Sequence, residues 1–330
     1  MAAIPMIELW RGGMQESVHM GHAVICDDTG AIVEAWGDPE TIIFPRSSSK
    51  MIQALPLIES GAADAAGLRE DQLALACASH NGAAIHTDRV TAWLADLGLS
   101  EADLRCGPQM PADHAAMKGL VCSATEPCQI HNNCSGKHSG FLTLSKHLRG
   151  GPEYIDPDHP VQRAVRAAHE DVTGETAPGY GIDGCSAPNF AATVHGLARA
   201  MAFFAAARPD GSARERAAVR LRQAMVAYPE LVAGEGRACT NLMRAMEGRV
   251  AVKTGAEAVF VAILPERKMG IALKIMDGTT RASEAALTAL LLRLGVLDRG
   301  HPVVDAYLTG PQRNRRGIAS AELRLSAGFA

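Results

Sequence analysis

Three short motifs bring together side chains that could transfer an acyl group. Residues 47–50 read S-S-S-K, residues 79–81 read S-H-N, and residues 253–255 read K-T-G. Together they supply two serine hydroxyls, two amines and an amide. A serine hydroxyl can attack a carbonyl carbon, and an amine can take up the proton that this attack releases. The set could therefore form and hydrolyse an acyl-enzyme without a cofactor.

The first motif predicts an activated serine at the start of a helix. Ser47 and Lys50 are three residues apart, so on a helix they share one face. A neutral Lys50 could act as the base if burial, or a second cation such as Lys253, lowers its pKa from about 10.4. A helix N-terminus would also place the Ser47 N–H where it could stabilise an oxyanion. Ser79 could pair with Lys253, and Asn81 could orient an amide of the substrate.

Each motif also has a simpler interpretation. Ser47 could cap a helix while Lys50 points into solvent, and residues 253–255 could form a turn that enters a strand. Each motif occurs by chance in many chains, but three in this order at predicted sheet–helix junctions favour chemistry. The same order is the signature of serine acyl-transfer enzymes related to penicillin-binding proteins and β-lactamases.

The periodicity of apolar residues predicts an α+β fold. Strands are predicted over 4–8, 22–26, 32–36, 41–44, 257–264 and 269–275. Helices are predicted from about residue 47, where Pro56 should kink or end the helix, and over 69–78, 85–97, 111–121, 139–147, 160–173, 187–201, 213–227 and 281–294. We expect an antiparallel sheet from both chain termini (1–50 and 240–330) flanked by helices. A mainly helical lobe (51–239) would be inserted, giving one compact two-lobed unit.

The composition limits the range of partners. A net charge of -4 gives no basic surface for nucleic acid. No apolar run reaches the roughly 18 residues that a membrane span requires, and the N-terminus lacks the features of a signal peptide. We therefore expect a cytoplasmic protein whose eight cysteines are reduced, with no nucleic-acid or membrane partner.

Two further segments, 132–140 and 183–188, are rich in thiols and small polar side chains. Cys134 and Cys185, with His138 and Asp183, could form a metal site of the zinc type. The alternative is a pair of buried, inert cysteines. Their spacing matches no known cysteine motif, so both interpretations stay open at this point.

The motifs together resemble the rhizobial-type, class 3 L-asparaginases of the asparaginase II family. The resemblance runs from about residue 5 to 310, and the N-C-S-G-K-H segment at 133–138 is its most specific part because β-lactamases do not carry it. It rests on the segments 45–50, 78–82, 133–138, 183–185 and 253–255. It implies a serine-β-lactamase-like fold and an amidohydrolase that converts L-asparagine and water to L-aspartate and ammonia.

The same resemblance implies a role for each matching residue. Ser47 would be the nucleophile with Lys50 as its base, and Ser79 and Lys253 would form a second serine–lysine pair. One Zn²⁺ would assist substrate binding, and the protein would be a homodimer. The implied zinc ligands are Cys134, Lys137 and Cys185; the pocket residues are Arg46, His138, Asp183 and Cys239, to which Asn81 and Thr254 of the motifs are added as substrate-binding residues.

The substrate itself suggests two further roles. A free amino acid carries an ammonium and a carboxylate, and we expect Asp183 to bind the first and Arg46 the second, through a bidentate pair. Two other functions remain open from the sequence. One is another cytosolic serine acyl hydrolase of β-lactamase-like type, such as an esterase or peptidase. The other is a non-catalytic zinc-binding protein.

Overall fold

The computed structural model describes residues 2–330 and divides the chain into two units. The sheet unit comprises the residues up to Ser48 together with Ala192–Ala206 and Asn241–Ala330. The helical unit comprises Ser49–Ala191 and Ala207–Thr240.

The secondary structure confirms the α+β class. The strands are β1 (Ile4–Arg11), β2 (Met14–Cys26), β3 (Ile32–Trp36), β4 (Ile42–Ile43), β5 (Tyr180–Ile182), β6 (Pro188–Phe190), β7 (Ala192–Thr193), β8 (Ala251–Thr254), β9 (Val259–Leu264), β10 (Met269–Ile275), β11 (Gln312–Arg313) and β12 (Ala319–Leu325). The helices are α1 (Lys50–Gln53), α2 (Leu55–Glu59), α3 (Ala62–Ala65), α4 (Glu70–Ala76), α5 (Ala84–Asp96), α6 (His114–Cys122), α7 (Ser135–His147), α8 (Pro160–Thr173), α9 (Val194–Ala206), α10 (Ala213–Ala227), α11 (Pro229–Val232), α12 (Ala238–Ala245), α13 (Thr280–Arg293) and α14 (Pro302–Val304).

The main sheet is antiparallel and is built from both ends of the chain, as predicted. Its order is β11-β12-β1-β2-β10-β9-β8, and β3 pairs with β2 outside this path. Ile7 of β1 lies opposite Leu325 of β12, and Ala23 of β2 lies opposite Leu273 of β10. The K-T-G strand, β8, is therefore an edge strand of this sheet.

Helices α9 and α13 pack on the central strands of the sheet. All six residues of β9 are buried, which requires both faces of the strand to be covered. Gly270 permits a close approach of β10 to α9, because a Cβ atom there would lie 2.1 Å from the Ala202 nitrogen and 2.3 Å from the Ala198 oxygen. Small residues on both elements thus set the distance between helix and strand.

Helix α7 forms the centre of the helical unit. Its residues from Ser135 to Ser145 are all buried, and it contacts α2, α3, α4, α5 and α8. The Trp93 indole on α5 donates a hydrogen bond of 3.1 Å to Thr143 Oγ1 on α7. This burial matters for the site, because the N-terminal turn of α7 carries Lys137 and His138, and Cys134 directly precedes the helix.

Three sequence-based predictions differ from the structure. The segment 192–206, predicted within the helical lobe, belongs to the sheet unit because α9 packs on β2, β9 and β10. The helix predicted over 187–201 begins only at Val194, after strands β6 and β7. Pro56 neither ends nor kinks a long helix, since it lies in the first turn of α2, where the missing N–H is tolerated.

Two surface properties bear on the expected partners. Within residues 2–330, no helix combines the length and the apolar character needed to cross a bilayer. All eight cysteines are free thiols, and Cys122 alone among them is exposed.

Candidate active site

The S-S-S-K motif lies in a 3₁₀ turn, Arg46–Ser49, that leads directly into α1. Arg46 has a φ of 54°, a left-handed conformation that is unfavourable for a residue with a long side chain. Ser48 is buried, and its Oγ donates a hydrogen bond of 2.7 Å to the Pro45 carbonyl. Ser47 is half-buried and does not cap a helix, which excludes the simpler interpretation of this serine.

The side chain of Lys50 is buried and turned away from solvent. It is 1% exposed, and Nζ donates hydrogen bonds to the Ala78 carbonyl oxygen and, over 3.1 Å, to Cys134 Sγ. The interpretation of Lys50 as a solvated helix residue is therefore wrong. Ala78 directly precedes Ser79. The hydrogen bond from Lys50 to its carbonyl therefore links the first motif to the second.

The K-T-G motif packs against the turn that carries Ser47. Lys253 is fully buried, and its Nζ donates a hydrogen bond of 2.8 Å to the Thr254 carbonyl. A Cβ atom on Gly255 would lie 2.6 Å from the Pro45 carbonyl oxygen and 3.0 Å from the Ser48 nitrogen. Only a residue without a side chain fits this contact, so Gly255 fixes the third motif beside the first.

The S-H-N motif, residues 79–81, is tied to the start of α7 through His80. The His80 Nε2 lies 2.9 Å from Ser135 Oγ, and Nδ1 lies 3.2 Å from the Gly82 nitrogen. Ser135 Oγ donates to the Ile130 carbonyl, so it must accept its other hydrogen bond from His80 Nε2–H. His80 Nδ1 then accepts from the Gly82 N–H. The ring is neutral and fully hydrogen-bonded.

The buried histidines predict a loss of stability at acidic pH. Burial lowers the pKa of His80 well below its usual range and also lowers the pKa of His86. The unfolded chain takes up these protons near pH 6.5 and the folded protein does not. The free energy of unfolding should thus be constant above about pH 7 and fall as the pH decreases through 6.5. Each histidine contributes up to about 1.4 kcal/mol per pH unit.

His86→Gln tests this prediction with little change in contacts. The His86 Nε2 lies 2.9 Å from the Glu230 carbonyl, and a glutamine amide can donate the same bond without titrating. We expect urea unfolding of the variant to show a shallower fall of the free energy of unfolding between pH 6.5 and 5.5 than the wild type. An equal slope in both proteins would contradict a neutral His86 in the folded state.

Two buried thiols and a buried amine converge near the N-terminus of α7. Cys134 precedes the helix, Lys137 lies in its first turn, and Cys185 follows strand β5 in sequence. The Lys137 Nζ lies 3.0 Å from Cys185 Sγ. Cys134 Sγ also contacts the Asn133 side-chain oxygen at 3.0 Å. Each of the three predicted metal ligands is at most 4% exposed.

The charges in this cluster favour one thiolate and one ammonium. The hydrogen bond from Cys134 lowers the pKa of Cys185, with further help from Lys137, whereas the same hydrogen bond and burial raise the pKa of Cys134. Burial alone would lower the pKa of Lys137, but the neighbouring cysteine sulfurs outweigh it and raise this pKa. These opposite shifts favour the thiolate form at Cys185 rather than at Cys134, next to the Lys137 amine.

His138 and Asp183 lie next to these groups but differ in exposure. His138 is fully buried, and burial lowers its pKa to about 4. Asp183 is half-buried, accepts a hydrogen bond from the Gly184 N–H, and its charge helps to raise the pKa of Lys137. Cys239 is buried in the first turn of α12.

The two cysteines of this cluster could bind a soft metal ion together with the lysine amine as a third ligand. Across residues 2–330, His, Cys, Asp and Glu side chains do not form a group of three that could hold a metal ion. Cys134 and Cys185 with Lys137 supply two sulfurs and a nitrogen, which is the type of donor that Zn²⁺ prefers. The four residues that the sequence suggested as a metal site, the two cysteines with His138 and Asp183, thus do not form one metal-binding group.

The predicted residues fall into two groups, each within one unit. The sheet unit holds Arg46, Ser47, Lys253 and Thr254; the helical unit holds Lys50, Ser79, Asn81, Cys134, Lys137, His138, Asp183, Cys185 and Cys239. Sequence analysis missed the residues that orient these groups, among them Ser135, Asn133 and Tyr154. Asn133 and Ser135 lie inside the N-C-S-G-K-H segment, but Tyr154 stands in no motif.

The chain matches the L-asparaginase II family over residues 7–325. This match covers nearly the whole chain, and the chain belongs to this family. No curated protein sequence matches the chain.

Solved structures with a similar fold are distant in sequence. The native form of Mglu is 12% identical, with 85% of this chain and 66% of the Mglu chain covered and a TM-score of 0.46. This chain thus spans just under two thirds of the length of Mglu. A β-lactamase from Mycobacterium bovis is 11% identical, with 84% and 95% covered and a TM-score of 0.45. A putative β-lactamase from Bacteroides dorei is 12% identical, with 83% and 92% covered and a TM-score of 0.44. Similarity at this level does not bear on activity.

Proposed function

We propose that the protein is an L-asparaginase that works through a serine acyl-enzyme. The observation that carries this proposal is the buried, hydrogen-bonded Lys50 three residues after the half-buried Ser47, in a chain of the L-asparaginase II family. A lysine amine can take the proton of an attacking serine hydroxyl, as a general base.

The proposed reaction has two stages. Ser47 attacks the side-chain amide carbon of L-asparagine while Lys50 takes the serine proton, and the C–N bond breaks as the nitrogen gains a proton and leaves as ammonia. A water molecule then attacks the resulting ester, which releases L-aspartate and returns the proton to Ser47. Ser79 and Lys253 are proposed as the second hydroxyl–amine pair, which relays protons to the leaving group.

The proposed substrate contacts follow the charges of a free amino acid. Asp183 binds the α-ammonium group and Arg46 binds the α-carboxylate. The remaining proposed substrate-binding residues are Asn81, His138, Cys239 and Thr254. Asp183→Ala and Arg46→Ala should each raise KM strongly, and an unchanged KM in both variants would remove these two assignments.

We also propose one zinc site formed by Cys134, Lys137 and Cys185. A bound Zn²⁺ would supply a positive centre for an anionic or carbonyl oxygen of the substrate. The three side chains are already buried and oriented by α7 and by the loop after β5, so little conformational entropy is lost on binding. Both cysteines must be thiolates and Lys137 neutral to act as ligands, so binding releases protons.

Zinc should stabilise the protein through this site. At a free metal concentration of 100 Kd, binding adds about 2.7 kcal/mol to the free energy of unfolding. We expect Zn²⁺ to raise the Tm of wild type and to leave the Tm of Cys185→Ser unchanged. Cys122→Ser, which alters an exposed thiol, is the control and should respond as wild type. An equal shift in Cys185→Ser would place the metal elsewhere.

Ammonia release tests the proposed activity directly. The purified protein, with zinc supplied, is incubated with L-asparagine and with L-glutamine, and ammonia is measured against time. Release from L-asparagine supports the proposal. No release from either amide, with hydrolysis of an ester or β-lactam probe instead, would favour the other serine acyl hydrolases. Light scattering of the same sample tests the proposed homodimer.

A further inference from the structure

Tyr154 contacts His138 inside the helical unit, yet stands in no motif. Tyr154 is fully buried, and its hydroxyl lies 2.9 Å from His138 Nδ1. The same hydroxyl oxygen accepts a hydrogen bond of 2.8 Å from the backbone N–H of Arg105. Tyr154 thus joins the backbone at Arg105 to a histidine beside the thiol–amine cluster.

The two contacts of the Tyr154 hydroxyl fix the direction of its own proton. The oxygen accepts from the Arg105 N–H, and its single hydrogen is then available to His138 Nδ1, the other polar atom within reach. Burial raises the pKa of Tyr154, so the hydroxyl keeps this hydrogen. His138 Nδ1 is therefore an acceptor, and an imidazole that accepts at Nδ1 carries its proton on Nε2.

The other ring nitrogen of His138, Nε2, is not hydrogen-bonded to Tyr154. This atom is buried and makes no hydrogen bond within the protein. A protonated Nε2 has no lone pair to offer a metal ion.

We propose that Tyr154 is a positioning residue that holds His138 in the Nε2–H tautomer, so that His138 is excluded from the metal ligands. The assignment of the tautomer depends only on hydrogen bonds within the protein. Its effect on metal binding rests on the proposed zinc site. The outer groups that orient a ligand commonly change metal affinity about 10- to 100-fold when removed.

The surroundings of Tyr154 make a sharp test possible. Its ring packs against His138 and Phe141 with centroid distances of 5.5 and 6.2 Å, and its carbonyl accepts a hydrogen bond from Gln162 Nε2 at 2.8 Å. Tyr154→Phe keeps the ring and these contacts and removes the hydroxyl alone. Tyr180→Phe removes the hydroxyl of an exposed tyrosine and is the matched control.

The first measurement is the tautomer of His138 in the metal-free wild type. Long-range ¹H–¹⁵N correlation spectra distinguish the two tautomers of a neutral histidine, and His138→Gln assigns the signal by its loss. We expect Nε2 to be protonated in wild type and in Tyr180→Phe, and the Nδ1–H form to become populated in Tyr154→Phe. An Nδ1–H tautomer in wild type would overturn the proposal, whether or not the variant folds.

The second measurement uses Co²⁺ as a spectroscopic probe of the metal site. In wild type and Tyr180→Phe, we expect thiolate-to-cobalt absorption with tight binding. In Tyr154→Phe, we expect Co²⁺ binding to weaken roughly 10-fold or more, or its ligand-field bands to shift as His138 nitrogen becomes available. Identical affinity and spectra in all three proteins would overturn the role toward the metal. Asparagine hydrolysis is not needed for either measurement, so failure of the proposed activity would be seen separately.

Discussion

Ser47→Ala is expected to lower the rate of L-asparagine hydrolysis by roughly 10³-fold or more, because it removes the atom that attacks the amide. Ser47 is half-buried on a 3₁₀ turn, so loss of its hydroxyl should leave the fold and the free energy of unfolding nearly unchanged. Ammonia release in single-turnover experiments is the appropriate measurement, together with the Tm of each variant.

The neighbouring serine provides a matched control. Ser48 Oγ donates to the Pro45 carbonyl, so Ser48→Ala should cost about 1 kcal/mol of stability while most of the activity remains. If Ser47→Ala kept wild-type turnover, the assignment of Ser47 as the nucleophile would be wrong and Ser79 would be the next candidate. A non-catalytic zinc-binding protein would show no turnover even in the wild type.

Gly255→Ala is expected to lower kcat at least about 100-fold, although the change adds a single methyl group far smaller than any active-site side chain. The added carbon would lie 2.6 Å from the Pro45 carbonyl oxygen and 3.0 Å from the Ser48 nitrogen, well below the usual contact distance of about 3.5 Å. Both contacts are backbone atoms that cannot rotate away. The turn that carries Ser47 must shift, and a displacement of about 1 Å at a nucleophile can cost this much.

A second glycine-to-alanine substitution, at a site with open space, separates the steric effect at Gly255 from the general effect of replacing a glycine. At Gly119 in helix α6, an added Cβ atom would have no neighbouring atom within 4 Å, so Gly119→Ala should keep full activity. It should also stabilise the protein by about 0.5–1 kcal/mol, because alanine is a better helix former. Wild-type kcat in Gly255→Ala would show that β8 and the Ser47 turn can separate without consequence for catalysis.

The sequence was most informative where a local pattern sufficed. The strands over 32–36 and 269–275 and the helices over 160–173 and 213–227 follow from local periodicity and have the predicted bounds. Strand β12 could not be found in this way, because its alternate polar residues resemble those of a loop and its identity depends on pairing with β1. The segment 192–206 is an apolar helix by pattern, but only the packing on β10 shows which unit it joins.

The candidate site was predicted by residue type rather than by geometry. Motif order placed the K-T-G strand near Ser47, and the contact of Gly255 with Pro45 agrees with that expectation. The hydrogen bond of Lys50 to Cys134 could not be foreseen, since it joins two motifs through burial that no spacing reveals. The role inferred for Tyr154 depends on the direction of a single hydroxyl proton, which only the three-dimensional hydrogen-bond network defines.

The pairing of β1 with β12 has a consequence for biosynthesis. Ile7 is made long before its partner Leu325, and between them lie strands of the same sheet drawn from residues 14–26 and 251–275. Contacts so distant in sequence close slowly, since the loop-closure entropy is lost before they form. Strand β1 can pair with β2 early, but its other edge must stay unpaired until the residues of β12 have been made, and this interval is when we expect the nascent protein to depend most on chaperones.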